Sequence, residues 1–129
     1  MKIIISLILI FTSALFGQTK KEVSKHEKHV QDLISAIKKI NQTLEKVKDE
    51  ATAKENIDSL KKLQVEIQVL KAQQKVIGQP PQDLKEKIVN QYAKSIFTEA
   101  QTLNEHLKRI HSAPKLFSLL KDIIKDFKP

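Results

Sequence analysis

Residues 60–81 read LKKLQVEIQVLKAQQKVIGQPP, and the fold turns on this stretch. Leu60, Leu63, Ile67, Leu70 and Ile77 recur at steps of three, four and seven, which stacks them on one face of a helix. Gly78 can take the left-handed conformation that closes a helix. Pro80 and Pro81 forbid its continuation, because proline lacks the N–H and its ring clashes with the preceding turn. Pro81 also suits the first turn of a following helix. An apolar seam that stops at Gly-x-Pro-Pro and resumes beyond it predicts two antiparallel helices.

Upstream, Val23, Val30, Leu33, Ile37, Ile40, Leu44, Val47 and Ala51 follow the same spacing, with His26 filling the one gap. Continued in register, the seam would pass through Lys54, Asp58 and Lys61, all charged; it resumes instead one residue off, at Leu60. A turn is therefore expected near 49–52, where Thr52-Ala53-Lys54-Glu55 has the form of a capping box. With no Gly or Pro there, a single continuous helix is the alternative. Downstream, Val89, Ala93, Ile96, Ala100, Leu103, Leu107 and Ile110 form a third seam, widened in its first half by Leu84, Ile88 and Tyr92. Ser112-Ala113-Pro114 breaks it. Leu116, Phe117, Leu119, Leu120, Ile123, Ile124 and Phe127 then give a short last helix a broad apolar face, opposite Lys115, Lys121, Lys125 and Lys128.

Short connections make consecutive helices antiparallel neighbours. The expected architecture is all-α: an up-down-up antiparallel bundle of three long helices with a short amphipathic fourth helix. Its core should hold Ile37, Ile40, Leu44, Leu60, Leu63, Ile67, Ile96, Leu103 and Leu107. The fourth helix should dock on the upper half, near Leu44, Val47 and Leu103, and be too short to reach far down.

The amino-terminal segment has a separate grammar. Lys2 precedes an apolar run over 3–11, and Thr12-Ser13-Ala14-Leu15-Phe16-Gly17 ends in small residues before polar sequence begins at Gln18. That is the pattern of a secretory signal peptide. The organisation expected is a signal peptide at 1–17, cleaved after Ala14 or Gly17, and one helical-bundle domain at 18–129. The apolar run falls short of the roughly 20 residues a membrane-spanning helix needs. The expected location is secreted or periplasmic.

Composition excludes several chemistries. The 129-residue chain has no Cys and no Trp, and Met1 is its only Met. Disulfides, thiolate metal sites, a cysteine nucleophile and His/Met haem ligation are thereby ruled out. The formal charge of +8 is spread along the chain, and Arg109 is the only Arg. Without a basic stripe or interleaved aromatic rings, no nucleic-acid partner is expected. Two glycines leave little material for a phosphate-cradling loop, and no glycine-rich turn is present to form a nucleophile elbow. No enzyme activity and no cofactor are expected.

The run Lys48-Asp49-Glu50-Ala51-Thr52-Ala53-Lys54, followed by Ile77-Gly78-Gln79-Pro80-Pro81 and Leu84-Lys85-Glu86-Lys87, resembles small secreted helical proteins of bacteria. In that group a D-E-A-[ST]-A segment opens one helix and a G-x-P segment separates it from the next. The likeness covers about residues 48–114. It implies a helical fold and a bacterial envelope or secreted location, and it carries no activity and no functional residue across.

Histidines are the remaining chemical candidates. His26 and His29 share a helix face with Glu22, a spacing that can hold a metal, although His26-Glu27-Lys28-His29 is not the H-E-x-x-H motif. Glu22, His26 and His29 are the only metal candidates, and the plainer expectation is a histidine closing the end of the core. His106 and His111 diverge by about 140° around their helix and cannot share a ligand. Asn41-Gln42-Thr43 matches a glycosylation sequon by accident of a mid-helix tripeptide.

One surface stands out. Taking Ile67 as zero, Leu63, Leu70 and Gln74 fall within about 60° of it, whereas Val65, Val69, Ala72 and Val76 fall between about 140° and 200°. This second stripe opposes the seam and should be partly exposed, as a homodimer or client-binding surface. A non-enzymatic structural or protein-interaction role follows, with a periplasmic holdase-type chaperone as the alternative and metal binding as a weaker one. The lysine-flanked face of residues 115–128 suits weak contact with a membrane surface.

Overall fold

Ser24 opens the first helix: its Oγ accepts a hydrogen bond from the Glu27 N–H at 3.1 Å, satisfying a donor that has no partner inside the helix. In the computed structural model, which describes residues 24–128, α1 spans Lys25–Glu45, α2 Glu50–Ile77, α3 Gln82–His111 and α4 Pro114–Ile124. A 3₁₀ turn, Lys125–Phe127, extends α4. The protein is an all-α, up-down-up bundle with a short fourth helix, and there is no strand among the described residues. The amino-terminal segment 1–17, with Glu22 and Val23, lies outside the described residues.

The turn between α1 and α2 is real, and its chemistry sits three residues earlier than the sequence pattern suggested. Asp49, not Thr52, is the N-cap: its carboxylate accepts from the Thr52 N–H at 2.9 Å, while the Thr52 hydroxyl accepts from the Asp49 N–H at 3.0 Å and the Lys48 N–H at 2.8 Å. Aspartate is among the strongest N-caps, and threonine at the third helical position closes the reciprocal pair. The two hydrogen bonds from Thr52 hold the Asp49 carboxyl below its ordinary range. Ala51 consequently belongs to the first turn of α2 and is exposed, so the α1 seam ends at Val47.

Gly78 closes α2 at a φ of 79°, the one positive φ among the described residues, and its N–H reaches the Gln74 carbonyl at 3.1 Å. Pro81 stands one position before the helix expected of it: it is the N-cap of α3, and its carbonyl accepts from the Lys85 N–H at 2.9 Å. Pro114 does occupy the first turn of α4.

All nine residues expected in the core are buried, joined by Val30, Leu33, Ala36, Ala53, Ile88 and Ile110 among others. α1 packs on both α2 and α3, and α4 packs on the same two helices. α1 and α4 therefore each bridge α2 and α3, which are consecutive in the chain but pack little on one another, contrary to the expectation that short connections make neighbours. In the upper half, the end carrying the 46–49 turn, α4 docks on α2 and on α3, the helix of Leu103, more than on α1, the helix of Leu44 and Val47. Leu116, Leu120, Ile123, Ile124 and Phe127 are its buried residues.

α4 also reaches farther down than its length suggested. Gln64 donates to the Asp122 carbonyl at 3.0 Å, Gln64 and Gln68 both donate to the Asp126 carboxylate, and the Lys71 ammonium donates to the Asp126 carbonyl at 2.9 Å. The 3₁₀ turn carries the chain end onto the lower part of α2, where long polar side chains extend the contact.

Candidate functional site

The amphipathic period of α2 places Val65, Val69, Ala72 and Val76 on one line, and the packing leaves that line uncovered. Val65 is 56% exposed, Val69 48% and Val76 87%, and Ala72 is exposed as well. Neighbours hold both flanks. Toward α1, Glu66 pairs with Lys39 at 3.3 Å; toward α4, Gln64, Gln68 and Lys71 are tied to Asp122 and Asp126. Each neighbour grips a polar side chain beside the stripe, so the apolar line between them faces solvent. Its lower part forms a shallow depression lined by Val69, Ala72, Gln73, Val76 and Ile77.

One further exposed apolar side chain escaped the sequence reading. Phe97 on α3 is half exposed, directly after the buried Ile96. One residue is a rotation of about 100°, enough to take a side chain off the seam.

The histidines part company in the structure. His26 and His29 are buried at the lower end of α1 and do not form a surface site, and Glu22 lies outside the described residues. Desolvation, with smaller contributions from Lys25 and His29, pushes His26 down to about 4. Burial also lowers His29, against the pull of Asp32. With a pKa of about 4, the His26 imidazole is neutral at neutral pH. Among the described residues, no group of three or more His, Cys, Asp or Glu side chains is placed to hold a metal ion.

His106 and His111 lie on different grooves. His106 borders one between α1 and α3 lined also by Lys38, Asn41, Gln42, Glu45, Glu99, Thr102 and Glu105. Desolvation lowers its pKa, followed by the Arg109 charge, and Glu45 and Glu105 oppose the shift. His111 directs Nδ1 to the Leu107 carbonyl at 2.8 Å and packs its ring on Phe117 at a centroid distance of 4.7 Å.

Three polar anchors that sequence reasoning missed tie α1 to α3. The Arg109 guanidinium donates to the Val47 carbonyl at 2.7 Å and the Leu44 carbonyl at 2.8 Å, closing the end of α1. A cation there also complements the negative end of the helix dipole. Asn41, 6% exposed, donates its amide to the Glu99 carbonyl at 3.0 Å and carboxylate at 2.9 Å. Its nitrogen is thus engaged inside the bundle, where no glycan could be attached. The Tyr92 hydroxyl donates to Glu27 at 2.7 Å and accepts from Gln31 at 2.8 Å. Burial, reinforced by the bond to Glu27, raises the Tyr92 pKa. A lone arginine and a mid-helix asparagine on an apolar face were the available signals.

No family model matches the chain, and no curated protein or solved structure is similar to it.

Proposed function

We propose that this chain is a non-enzymatic helical-bundle protein of the bacterial envelope or the exterior, with a protein-binding role exerted through the α2 stripe. The observation that carries this reading is the exposure, along one line, of Val65, Val69, Ala72 and Val76 on a helix whose opposite face is fully used by the core. An apolar helix face of this kind is what a second amphipathic helix recognises, with anchors at steps of three and four. The signal-like segment at 1–17 and the resemblance to small secreted helical proteins support the location. Among the described residues, no helix is long and apolar enough to cross a membrane.

The same stripe supports the second reading, a holdase-type chaperone that shields apolar segments of unfolded clients. Metal binding through Glu22, His26 and His29 is the third, tested by titrating the protein with divalent metal. Weak membrane contact would run through 115–128, where the four lysines of the α4 segment are exposed.

The deciding experiment is Val69→Lys, compared with the unmodified chain by mass in solution and by suppression of aggregation of an unfolded client. Conversion of a dimer to a monomer identifies a second copy as the partner. Loss of client protection at unchanged mass identifies the holdase. If both properties survive the substitution, the stripe has no role and the reading fails.

A further inference from the structure

We propose that the cleft between the upper part of α3 and the end of α4 binds a phosphate-type anion. The cleft has a volume of about 610 Å³ and is lined by Asn104, Leu107, Lys108, His111, Ser112 and Lys128. It is open to solvent, with every lining residue but Leu107 exposed, and larger than one phosphate requires. Two ammonium groups, an imidazole, a hydroxyl and a carboxamide thus border one concavity, and no carboxylate among the described residues lines it.

These groups are available. The ion pairs among the described residues engage Lys28, Lys39 and Lys115, and Lys108 and Lys128 have no carboxylate partner among those residues. The single guanidinium is committed to α1, at Leu44 and Val47, so the cleft must recognise its ligand by ammonium point charges. A carbonyl oxygen can only accept, so the His111 Nδ1 facing the Leu107 carbonyl carries a proton. Nε2 remains as the ring's second polar atom, and a tilted contact with the Phe117 ring helps to hold the imidazole in place.

The end of a helix normally repels an anion, because its last carbonyls are unpaired. Here that repulsion is reduced. The Leu107 carbonyl is engaged by His111, the Lys108 carbonyl by the Ser112 N–H at 3.0 Å, and the Ile110 carbonyl by the Ala113 N–H at 3.0 Å. Leu107 supplies an apolar wall beside the charges, which suits a phosphate carried on a carbon framework. The ligand chemistry is therefore a phosphate group, free or as the headgroup of an anionic lipid. This site is independent of the α2 stripe, and either can fail without the other.

The test uses the full chain and two charge-matched double variants. K108E/K128E changes the cleft; K61E/K62E makes the same change in net charge on exposed positions of α2. Inorganic phosphate is titrated while amide chemical shifts are followed, and vesicles of phosphatidylglycerol are compared with neutral phosphatidylcholine to subtract whatever the apolar amino-terminal segment contributes. The expected result is saturable binding with shifts centred on Asn104, Lys108, His111 and Ser112. K108E/K128E should weaken it about tenfold or more, the loss expected when one or two charged hydrogen bonds of about 1.5 kcal/mol are removed. K61E/K62E should leave it within about twofold. Specific vesicle binding that phosphate competes away identifies a lipid headgroup; saturable phosphate binding without a phosphatidylglycerol preference identifies a free phosphate compound. Equal losses in the two double variants would show attraction by net charge alone and overturn the proposal. So would the absence of saturable binding in both arms.

Discussion

The upper and lower halves of the bundle solve the same packing problem with different materials. Above, α4 completes the enclosure: Leu44, Val47, Ala53, Leu60, Leu103, Ile110 and Leu120 are fully or almost fully buried, and the polar groups serve the helix ends, as at Asp49, Thr52 and Arg109, apart from the single buried amide of Asn41, which is held by Glu99. Below, polar side chains enter the seam itself. His26, His29 and Gln74 are buried there, Tyr92 bridges α1 and α3 through Glu27 and Gln31, and the outer face of α2 carries the uncovered valines. A seam surrounded by helices can be purely apolar, because every side chain finds a neighbour. Where fewer helices meet, the same chain spends part of its core on groups that carry hydrogen bonds or titrate, and apolar surface is left outside.

The sharpest way to break this contrast is to remove the fourth helix. Truncation after Ser112 deletes Leu116, Leu120, Ile123, Ile124 and Phe127 from the core, each worth about 1.5–3 kcal/mol on burial, and the total rivals the 5–15 kcal/mol of a typical domain. The truncated chain should lose its cooperative thermal transition by circular dichroism. A melting temperature within a few degrees of the parent would show that α4 is an appendage. Ile67→Ala comes next. Lying on the seam where the two halves meet, it should cost about 2–5 kcal/mol in denaturant titrations, and a cost near zero would mean that the face facing α1 and α4 is misassigned.

Acid should then distinguish the halves. His26 has a native pKa of about 4 against about 6.5 in the unfolded chain, so the unfolded state binds the proton first. The resulting stability is complete above about pH 6.5 and is lost as pH falls toward 4. At pH 5 the loss is about 2 kcal/mol from His26 alone, with His29 adding in the same direction. Urea midpoints at pH 7.5 and 5 measure it, and His26→Leu should flatten the dependence. An unchanged acid response in His26→Leu would assign the effect elsewhere.

In the upper half, Arg109→Ala removes two charge-assisted hydrogen bonds to carbonyls at the end of α1 and should cost about 1.5–3 kcal/mol, detectable as earlier exchange of the amides around 44–47. Lysine at the same position should restore only part of this, since one ammonium cannot reproduce the planar fork. Smallest of all, Val69→Lys should shift unfolding by less than about 0.5 kcal/mol, because it alters an exposed position. A large destabilisation would mean that the stripe is structural.

Much of this was legible because helical periodicity is local. The spacing of Leu60, Leu63, Ile67 and Leu70 fixed the buried face of α2, and the same logic put Val65, Val69, Ala72 and Val76 on the opposite side, where they are exposed. Gly78, Pro80 and Pro81 marked the α2–α3 connection, since their backbone restrictions act without reference to the rest of the chain. The first turn was harder. The capping-box pattern pointed to Thr52, whereas the register in which α2 packs makes Asp49 the N-cap.

What the sequence by itself determined is the helical fold, the seams and the connections, all products of interactions between residues a few positions apart. The tertiary structure alone decided the rest: that α4 lies across α2 and α3 down to Lys71, that Arg109 closes a helix ending more than sixty positions earlier, and that Asn41 faces Glu99. Those contacts join a side chain to a group distant along the chain. Nothing in the periodicity of either partner specifies the other; each is set by how far two helices slide and rotate before their cores lock.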